Sequence, residues 1–398
     1  MRQHKIAAST MSAVTMLSLA LAFRQTSMTI VMPFISTYCK SLLGYTSLGA
    51  GLAVGIFGLM QAVFQIPFGV LSDRFGNKRM MLIGLTQVVL GLVLAYFAKN
   101  IGLLIFARAL QGSGAVIGVG YSWAASIAGE KERIRAMSIL GAFVSAAAAL
   151  AFAAGPLLRE VMSVNHMFLA CAILLFLTEL YILFFIRDGK EGHPEPHPDL
   201  ERRHIRSLVR NRSFVQMNLA AFFNNYMMMS VFYAVPIYLA EVTGETGMWK
   251  VFLPAILTAI LVMKFAVKWT QKGFGRKVLL LSFLLSSCSL FLYFDWDSYP
   301  VLLLGTTLYM CGYITIATIA ASNVNETVDD GFRGTANGIF NSFQYVGSFA
   351  GALLTGFLWE VSQRLTWSVT IGIGVAGCLL MTCGNRSRSV MHGEECDK

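Results

Sequence analysis

Residues 69–79 read GVLSDRFGNKR and form a charged turn between two long apolar runs. Each run is long enough for an α-helix to cross the hydrocarbon core of a bilayer, which takes roughly 20 residues. Gly69 and Gly76 permit a tight backbone turn between two such helices. Asp73 offers a carboxylate to a helix N-terminus or to an arginine. This stretch therefore predicts two membrane-spanning helices joined at the membrane surface.

The same alternation of apolar runs and charged breaks extends along all 398 residues, of which 56% are apolar and 13% charged. This composition excludes a secreted disulfide scaffold, a nucleic-acid-binding domain and most soluble enzymes. The runs lack the strict alternation of barrel strands, so they predict helices. The predicted spans are 10–35, 48–71, 80–98, 102–127, 136–158, 167–186, 214–240, 248–269, 278–294, 301–322, 335–359 and 367–384. We therefore predict an all-α integral membrane protein with twelve transmembrane helices.

The basic residues predict the orientation of the chain. Most of the 31 Lys and Arg residues lie at the termini and in the loops after even-numbered spans. The loops on the other side hold only Lys40, Lys99, Arg159, Lys250 and Arg364. Because basic loops stay on the cytoplasmic side, we expect a multi-pass protein of the cytoplasmic (inner) membrane with both termini cytoplasmic. The net charge of +10 then needs no nucleic-acid partner.

The chain divides into two similar halves. A polar stretch at 187–212, rich in Pro, His and charge, falls near the midpoint. The sequence FGNK at 75–78 has a counterpart, FGRK, at 274–277, and Arg133 has a counterpart in Arg333. Such repeats are typical of secondary transporters and place the substrate site where the repeats meet. The predicted domains are a six-helix bundle at 1–186, a cytoplasmic linker at 187–212, and a second, pseudo-symmetric six-helix bundle with a short cytoplasmic tail at 213–398.

Several of these motifs resemble those of one transporter family. The turn at 69–79 resembles the loop signature of the major facilitator superfamily. The stretch RALQGSGA at 108–115 resembles its arginine motif, and Gly155-Pro156 resembles the end of its antiporter motif. The run at 51–69, with an arginine in the first span, is similar to the YajR-like bacterial drug:proton antiporters. The resemblance implies a V-shaped pair of bundles that work by rocking-type alternating access.

The resemblance also implies a conformational latch at the turn. Asp73 is expected to contact the start of the eleventh helix in the outward-facing state, with Arg133 in the same cluster. Asn77 stands where the signature usually has a basic residue, and Ser126 stands where an acidic partner is often found. Two alanines also replace glycines of the antiporter motif. The expected latch residues are Gly69, Asp73, Arg74, Gly76, Lys78 and Arg133.

Ionisable side chains inside a bilayer are costly unless they face water or a partner. Arg24 lies deep in the first span and is expected to face a cavity, whereas Lys264 can extend to the membrane surface. Glu179 in the sixth span is the only deep carboxylate and the candidate for proton coupling, although sixth helices usually pack outside the central cavity of this family. The candidates for substrate or coupling contact are Arg24, Gln61, Gln65, Arg108, Gln111, Asn225, Tyr233, Asn337, Asn341 and Gln344.

These residues favour a neutral or anionic solute over a cationic one. We predict a monomeric secondary transporter that moves a small organic or amphiphilic solute by proton-coupled, multidrug-type efflux. An importer or uniporter of an organic anion is one alternative, and a non-transporting receptor or scaffold is another. The chain has no HExxH, GxSxG or GxxxxGK[ST] motif, so we expect no enzymatic activity, no metal and no cofactor.

Overall fold

The protein is almost entirely helical in a computed structural model, which describes residues 2–186, 207–208, 210–295, 297–328 and 333–382. The described residues contain twelve long helices. They are α1 (Arg2–Thr29), α2 (Ser47–Phe75), α3 (Asn77–Tyr96), α4 (Ile101–Gly129), α5 (Arg135–Val161), α6 (Val164–Phe185), α7 (Arg212–Val242), α8 (Trp249–Trp269), α9 (Gly275–Leu290), α10 (Tyr299–Glu326), α11 (Arg333–Val361) and α12 (Gln363–Thr382). The all-α prediction is confirmed.

Two spans predicted as single helices are interrupted. The first helix ends at Thr29 and continues as a 3₁₀ turn at Met32–Phe34, because Pro33 has no N–H to donate. Helix α4 is interrupted after Ser113, where a Cβ atom on Gly114 would lie 2.3 Å from the carbonyl oxygen of Gly84. The backbones of α3 and α4 therefore approach too closely for a side chain at this point.

Glycines with positive φ make the turns at one end of the protein. Gly76 joins α2 to α3 with φ of 90°, and Gly273 joins α8 to α9 with φ of 88°. Gly129 separates α4 from α5 with φ of 67°. Residues with a Cβ atom rarely adopt this conformation. The repeated FG sequence pairs Gly76 with Gly275, but the positive φ of the second half lies two residues earlier, at Gly273.

Helix packing repeats with a shift of six helices. In the first half, α1 packs against α5 and α6, α2 against α4, and α3 against α4 and α6. In the second half, α7 packs against α11 and α12, α8 against α10, and α9 against α10 and α12. The fold therefore consists of two pseudo-symmetric six-helix bundles, as predicted. Most of the predicted linker at 187–212 lies outside the described residues.

The surface of the bundles suits a lipid environment. Phe106, Phe184 and Leu379 are among the large apolar side chains that remain exposed. Nine stretches of the described residues are long and apolar enough to cross a membrane, and one of them contains both α8 and α9. Helices α7 and α11 are not among the nine, because both carry several amide side chains. Both of these helices border the interface between the bundles.

Candidate substrate site between the bundles

Glycines allow α2 and α11 to pack backbone against backbone at one end of the interface. A Cβ atom on Gly51 would lie 2.5 Å from the carbonyl oxygen of Ala352, and one on Gly356 would lie 2.5 Å from that of Ser47. Gly55 extends this contact, since its Cβ position lies 3.0 Å from Cβ of Ala352. This region, where the two bundles meet without intervening side chains, is called the sealed end below.

Polar groups join the bundles at the same end. The Glu360 carboxylate accepts a hydrogen bond of 2.8 Å from the backbone N–H of Ser47. The Tyr233 hydroxyl donates to the carbonyl oxygen of Ser47 at 3.1 Å. On the opposite side of the interface, Trp249 Nε1 donates to Glu160 Oε1 at 2.7 Å. Carboxylates from both bundles thus bridge the sealed end.

An ion pair and an aromatic stack complete the seal. Lys40 Nζ lies 3.8 Å from Glu241 Oε1. Phe152 of α5 stacks on Phe232 of α7 with ring centroids 4.9 Å apart. The stacked rings pack an α5 side chain directly against α7 at this end.

The bundles separate toward the opposite end, called the open end, which carries the charged turn after α2. A Cβ atom on Gly58 would still lie 3.1 Å from the carbonyl oxygen of Tyr345. Farther along α2 and α11, the Cβ positions of Gly69 and Gly338 have no atom of the described residues within 4 Å. No side chain is buried in the fully described stretch 260–277. The interface is therefore a crevice with its floor near Gly58.

Arg24 lies beside the floor of this crevice. Its side chain is 2% exposed, and its Nη2 donates to Gln61 Oε1 at 2.9 Å. Arg24 Nε and Gln61 Nε2 are also buried, and neither has a hydrogen-bond partner among the described residues. The sequence analysis listed both residues among the candidates for substrate or coupling contact, without pairing them. The structure brings them into direct contact.

Phe57 lies between two buried arginines. The Arg24 guanidinium carbon is 5.8 Å from the centroid of the Phe57 ring, and that of Arg108 is 4.9 Å from it. A cation near an aromatic ring gains about 0.5–2 kcal/mol, much less than the hydration that a buried charge loses. Among the described residues, no carboxylate lies within 4.0 Å of either arginine.

Arg108 differs from Arg24 because both its Nε and its Nη1 have hydrogen-bond partners. Its Nε donates to the carbonyl oxygen of Ala53 at 3.2 Å, and its Nη1 donates to Gln111 Oε1 at 2.7 Å. Gln111 Nε2 in turn donates to the carbonyl oxygen of Gly91 at 3.0 Å. This chain links α2, α3 and α4, and a substrate contact for Arg108 and Gln111 stays a prediction.

The predicted residues of the second bundle lie at different depths. Asn225 Nδ2 donates to the carbonyl oxygen of Ala221 in its own helix, and Tyr233 lies at the sealed end. Asn337 Nδ2 donates to Asn325 Oδ1 at 2.7 Å. Half-buried side chains remain at Gln65 of α2 and at Asn341 and Gln344 of α11. Roles for these residues in substrate contact stay predictions.

Glu179 lies outside the interface between the bundles. Thr86 of α3 donates a hydrogen bond of 2.5 Å to its carboxylate, and Thr86 itself is exposed. Helix α6 packs against α1 and α3. A proton bound at Glu179 would therefore have to influence the interface through the helices of the first bundle. The proton-coupling role of Glu179 stays a prediction.

The charged turn is ordered by backbone and side-chain bonds. Gly76 N–H donates to the carbonyl oxygen of Ser72 at 3.0 Å, and Lys78 Nζ donates to that of Leu183 at 2.9 Å. Asp73 is exposed, and no described residue binds it. Exposed side chains also occur at Arg74 and Arg133. The bundles are separated at this end, so the expected latch at Asp73 is not formed in this state. The prediction places its contact in the opposite, outward-facing state.

The sequence prediction missed Phe57, Tyr345 and Glu360. Phe57 is one phenylalanine of an apolar run, and Glu360 resembles an ordinary charge at the end of a span. Tyr345 follows Gln344 in α11, and its carbonyl oxygen lies 3.1 Å from the Cβ position of Gly58 across the interface. Only the Gly51, Gly55 and Gly58 series, spaced for one helix face, indicated a close helix contact.

Two helical bundles that meet at one end, separate at the other and leave polar groups between them define an alternating-access class of membrane transporter. The profile of the Major Facilitator Superfamily matches residues 17–352 and 265–384. The chain therefore belongs to this family of multi-pass membrane transporters, which are not enzymes.

Similar proteins agree with this assignment. The inner membrane transport protein YajR of Escherichia coli K12 is 27% identical over 340 residues, which cover 85% of this chain and 75% of YajR. The class E tetracycline resistance protein of Escherichia coli is 25% identical over 377 residues, covering 88% and 90% of the two chains. A D-xylose-proton symporter has the same fold, with a TM-score of 0.73, 14% identity and coverage of 94% and 97%.

Proposed function

We propose that this transporter exports a small organic or amphiphilic solute across the cytoplasmic membrane in exchange for protons. The observation that carries the proposal is the difference between the two ends of the interface. Contact at Gly51 and Gly55 seals one end, whereas at the other end no described atom lies within 4 Å of the Cβ positions of Gly69 and Gly338. Rocking of the two bundles about the floor of the crevice would reverse this arrangement.

The predicted orientation places the open end at the cytoplasm, so the crevice would receive solute from inside the cell. Similarity to a tetracycline resistance protein over most of the chain supports export. Similarity to YajR, an inner membrane protein, supports the proposed location. The substrate would contact Arg24, Gln61, Gln65 and the amides of α11, and Asp73 would latch the outward-facing state.

Everted membrane vesicles provide the test. Vesicles from cells that express the chain should accumulate a probe such as tetracycline when respiration acidifies their interior. A protonophore should abolish the accumulation if protons drive it. Vesicles with the Gly51→Val variant serve as the matched control, because a bulky side chain at Gly51 would prevent the seal. Equal accumulation in both preparations would contradict the proposal.

A second function is favoured by one observation. Arg24 and Arg108 are buried without a carboxylate among the described residues, which suits an organic anion as the solute. Such a protein could act as an importer or a uniporter. Right-side-out vesicles would then take up a labelled anion, and its distribution would not require a pH gradient. A receptor or scaffold would move no probe in either preparation.

A further inference from the structure

We infer that Arg24 and Gln61 form the subsite for an anionic group, a carboxylate or sulfonate, of the transported solute. The inference rests on the proposed function and adds the charge of the substrate and the atoms that bind it. Arg24 is 2% exposed, and Gln61 is completely buried. Gln61 lies one helical turn from Gly58, where the two bundles last touch, and the Arg24 guanidinium lies 5.8 Å from the centroid of the Phe57 ring.

The unused hydrogen-bond donors of this pair point to an acceptor. Gln61 Oε1 accepts from Arg24 Nη2 at 2.9 Å, so the Gln61 amide group is left to donate. Its Nε2 and Arg24 Nε are buried and have no partner among the described residues. Buried polar groups in proteins are nearly always hydrogen-bonded. Two neighbouring donors without an acceptor match the two oxygen atoms of a carboxylate or sulfonate.

Electrostatics favour the same ligand. A guanidinium removed from water requires an opposite charge, since desolvation of an unpaired ion is expensive. No carboxylate of the described residues lies within 4.0 Å of Arg24, and Arg108 adds a second positive charge 4.9 Å from the centroid of the same Phe57 ring. A bound anion would neutralise this field, whereas a cation would be repelled by it.

The second bundle approaches the subsite through α11. The carbonyl oxygen of Tyr345 lies 3.1 Å from the Cβ position of Gly58, one helical turn from Gln61. Arg24 and Gln61 are both buried in this state. Movement of α11 away from Gly58 would give a solute access to them. Anion binding at Arg24 would in this way respond to the relative position of the bundles.

Matched aromatic probes test the inference. The thermal stability of the purified full-length protein would be measured with 2-naphthoate, with its neutral amide and with the cationic naphthylmethylamine. Naphthoate should stabilise the wild-type protein most. In Arg24→Gln, which keeps a hydrogen-bonding group but loses the charge, the apparent affinity for naphthoate should fall about 10- to 100-fold. Binding of the amide should change little.

Two variants control for charge and folding. Lys264→Gln removes an exposed cation outside the subsite and should bind naphthoate as the wild type does. Arg24→Lys should retain much of the preference for the anion. If Arg24→Gln fails to fold, Gln61→Ala takes its place. Loss of the preference for naphthoate in Gln61→Ala would support the inference, and an unchanged preference would contradict it. Equal naphthoate binding by wild type and Arg24→Gln, stronger binding of the amine, or no binding of naphthoate to the wild type would overturn the inference.

Flux measurements separate this inference from the proposed function. Proteoliposomes loaded with each probe would be assayed with wild type and Arg24→Gln. Binding of naphthoate that depends on Arg24, without flux of any probe, would support the subsite and contradict transport. Flux of naphthoate that is unchanged in Arg24→Gln would support transport and contradict the subsite.

Discussion

The Glu360 carboxylate of α11 accepts hydrogen bonds from the backbone N–H groups of Ser47, at 2.8 Å, and Leu48, at 3.4 Å. These N–H groups belong to the first turn of α2, where a helix has no intrahelical acceptor and carries partial positive charge. One bundle therefore caps a helix of the other. The cap exists only while the sealed end is closed, so it stabilises one conformational state.

Replacing Glu360 with alanine should weaken the seal. A hydrogen bond to a charged group contributes about 1.5–3 kcal/mol, so the closed-to-open ratio at this end should fall roughly 10-fold or more. Spin labels at Leu43→Cys and Arg364→Cys, both exposed residues near this end, would report the distance between the bundles. The distribution should gain a longer-distance population in Glu360→Ala.

Glu241→Ala is the matched control for that experiment. It removes a carboxylate of the same end, but its ion pair with Lys40 spans 3.8 Å between partly exposed side chains. Such pairs contribute about 0–1 kcal/mol, so the distances should change little. An unchanged distribution in Glu360→Ala, or an equal shift in both variants, would argue against a capping role.

Gly51→Val should prevent closure of the seal. The added Cβ atom would lie 2.5 Å from the carbonyl oxygen of Ala352 and 3.0 Å from Cα of Gly356. Both are backbone atoms, so they can move only if helix α11 moves. We expect transport of the vesicle probes to fall to background, with normal membrane insertion. Gly338→Ala in α11, where no described atom lies within 4 Å of the Cβ position, should retain transport. Full activity of Gly51→Val would show that the seal is dispensable.

Asp73→Asn should slow or abolish transport and leave the protein folded. Asp73 is exposed at the open end and no described residue binds it, so its loss removes no contact seen among the described residues. The predicted latch would be lost in the opposite, outward-facing state. Transport rate and thermal stability would be measured together, with Asp297→Asn, another exposed acid, as the control. Normal turnover in Asp73→Asn would remove the turn from the mechanism.

Arg108→Lys should lower thermal stability even though it preserves the charge. Lysine cannot reproduce the fork of the guanidinium, which reaches both Ala53 O and Gln111 Oε1. The lost bonds should cost about 1–3 kcal/mol. Scanning calorimetry of the variant beside Arg24→Lys would compare the two arginines. Loss of transport with unchanged stability in Arg108→Lys would instead make Arg108 a substrate or coupling residue.

The sequence by itself determined the helices, their membrane environment and the repeat. Apolar runs, the glycine turns at Gly76 and Gly273, and the distribution of basic residues are local features, and each acts through the backbone or the bilayer next to it. The interruption of α4 near Gly114 lies in a glycine-rich stretch, but the sequence analysis predicted a single helix there. The close approach of Gly84 to Gly114 is visible only in the structure.

Only the tertiary structure decided which polar groups meet. Ser47 and Glu360 are 313 residues apart, and Arg24 and Gln61 are 37 apart. Two buried arginines acquired different surroundings, since Arg108 Nε donates to Ala53 O, whereas Arg24 Nε has no partner among the described residues. Hydrophobic runs determine which segments lie in lipid. The partner of a buried polar group depends on packing between helices that are distant in sequence.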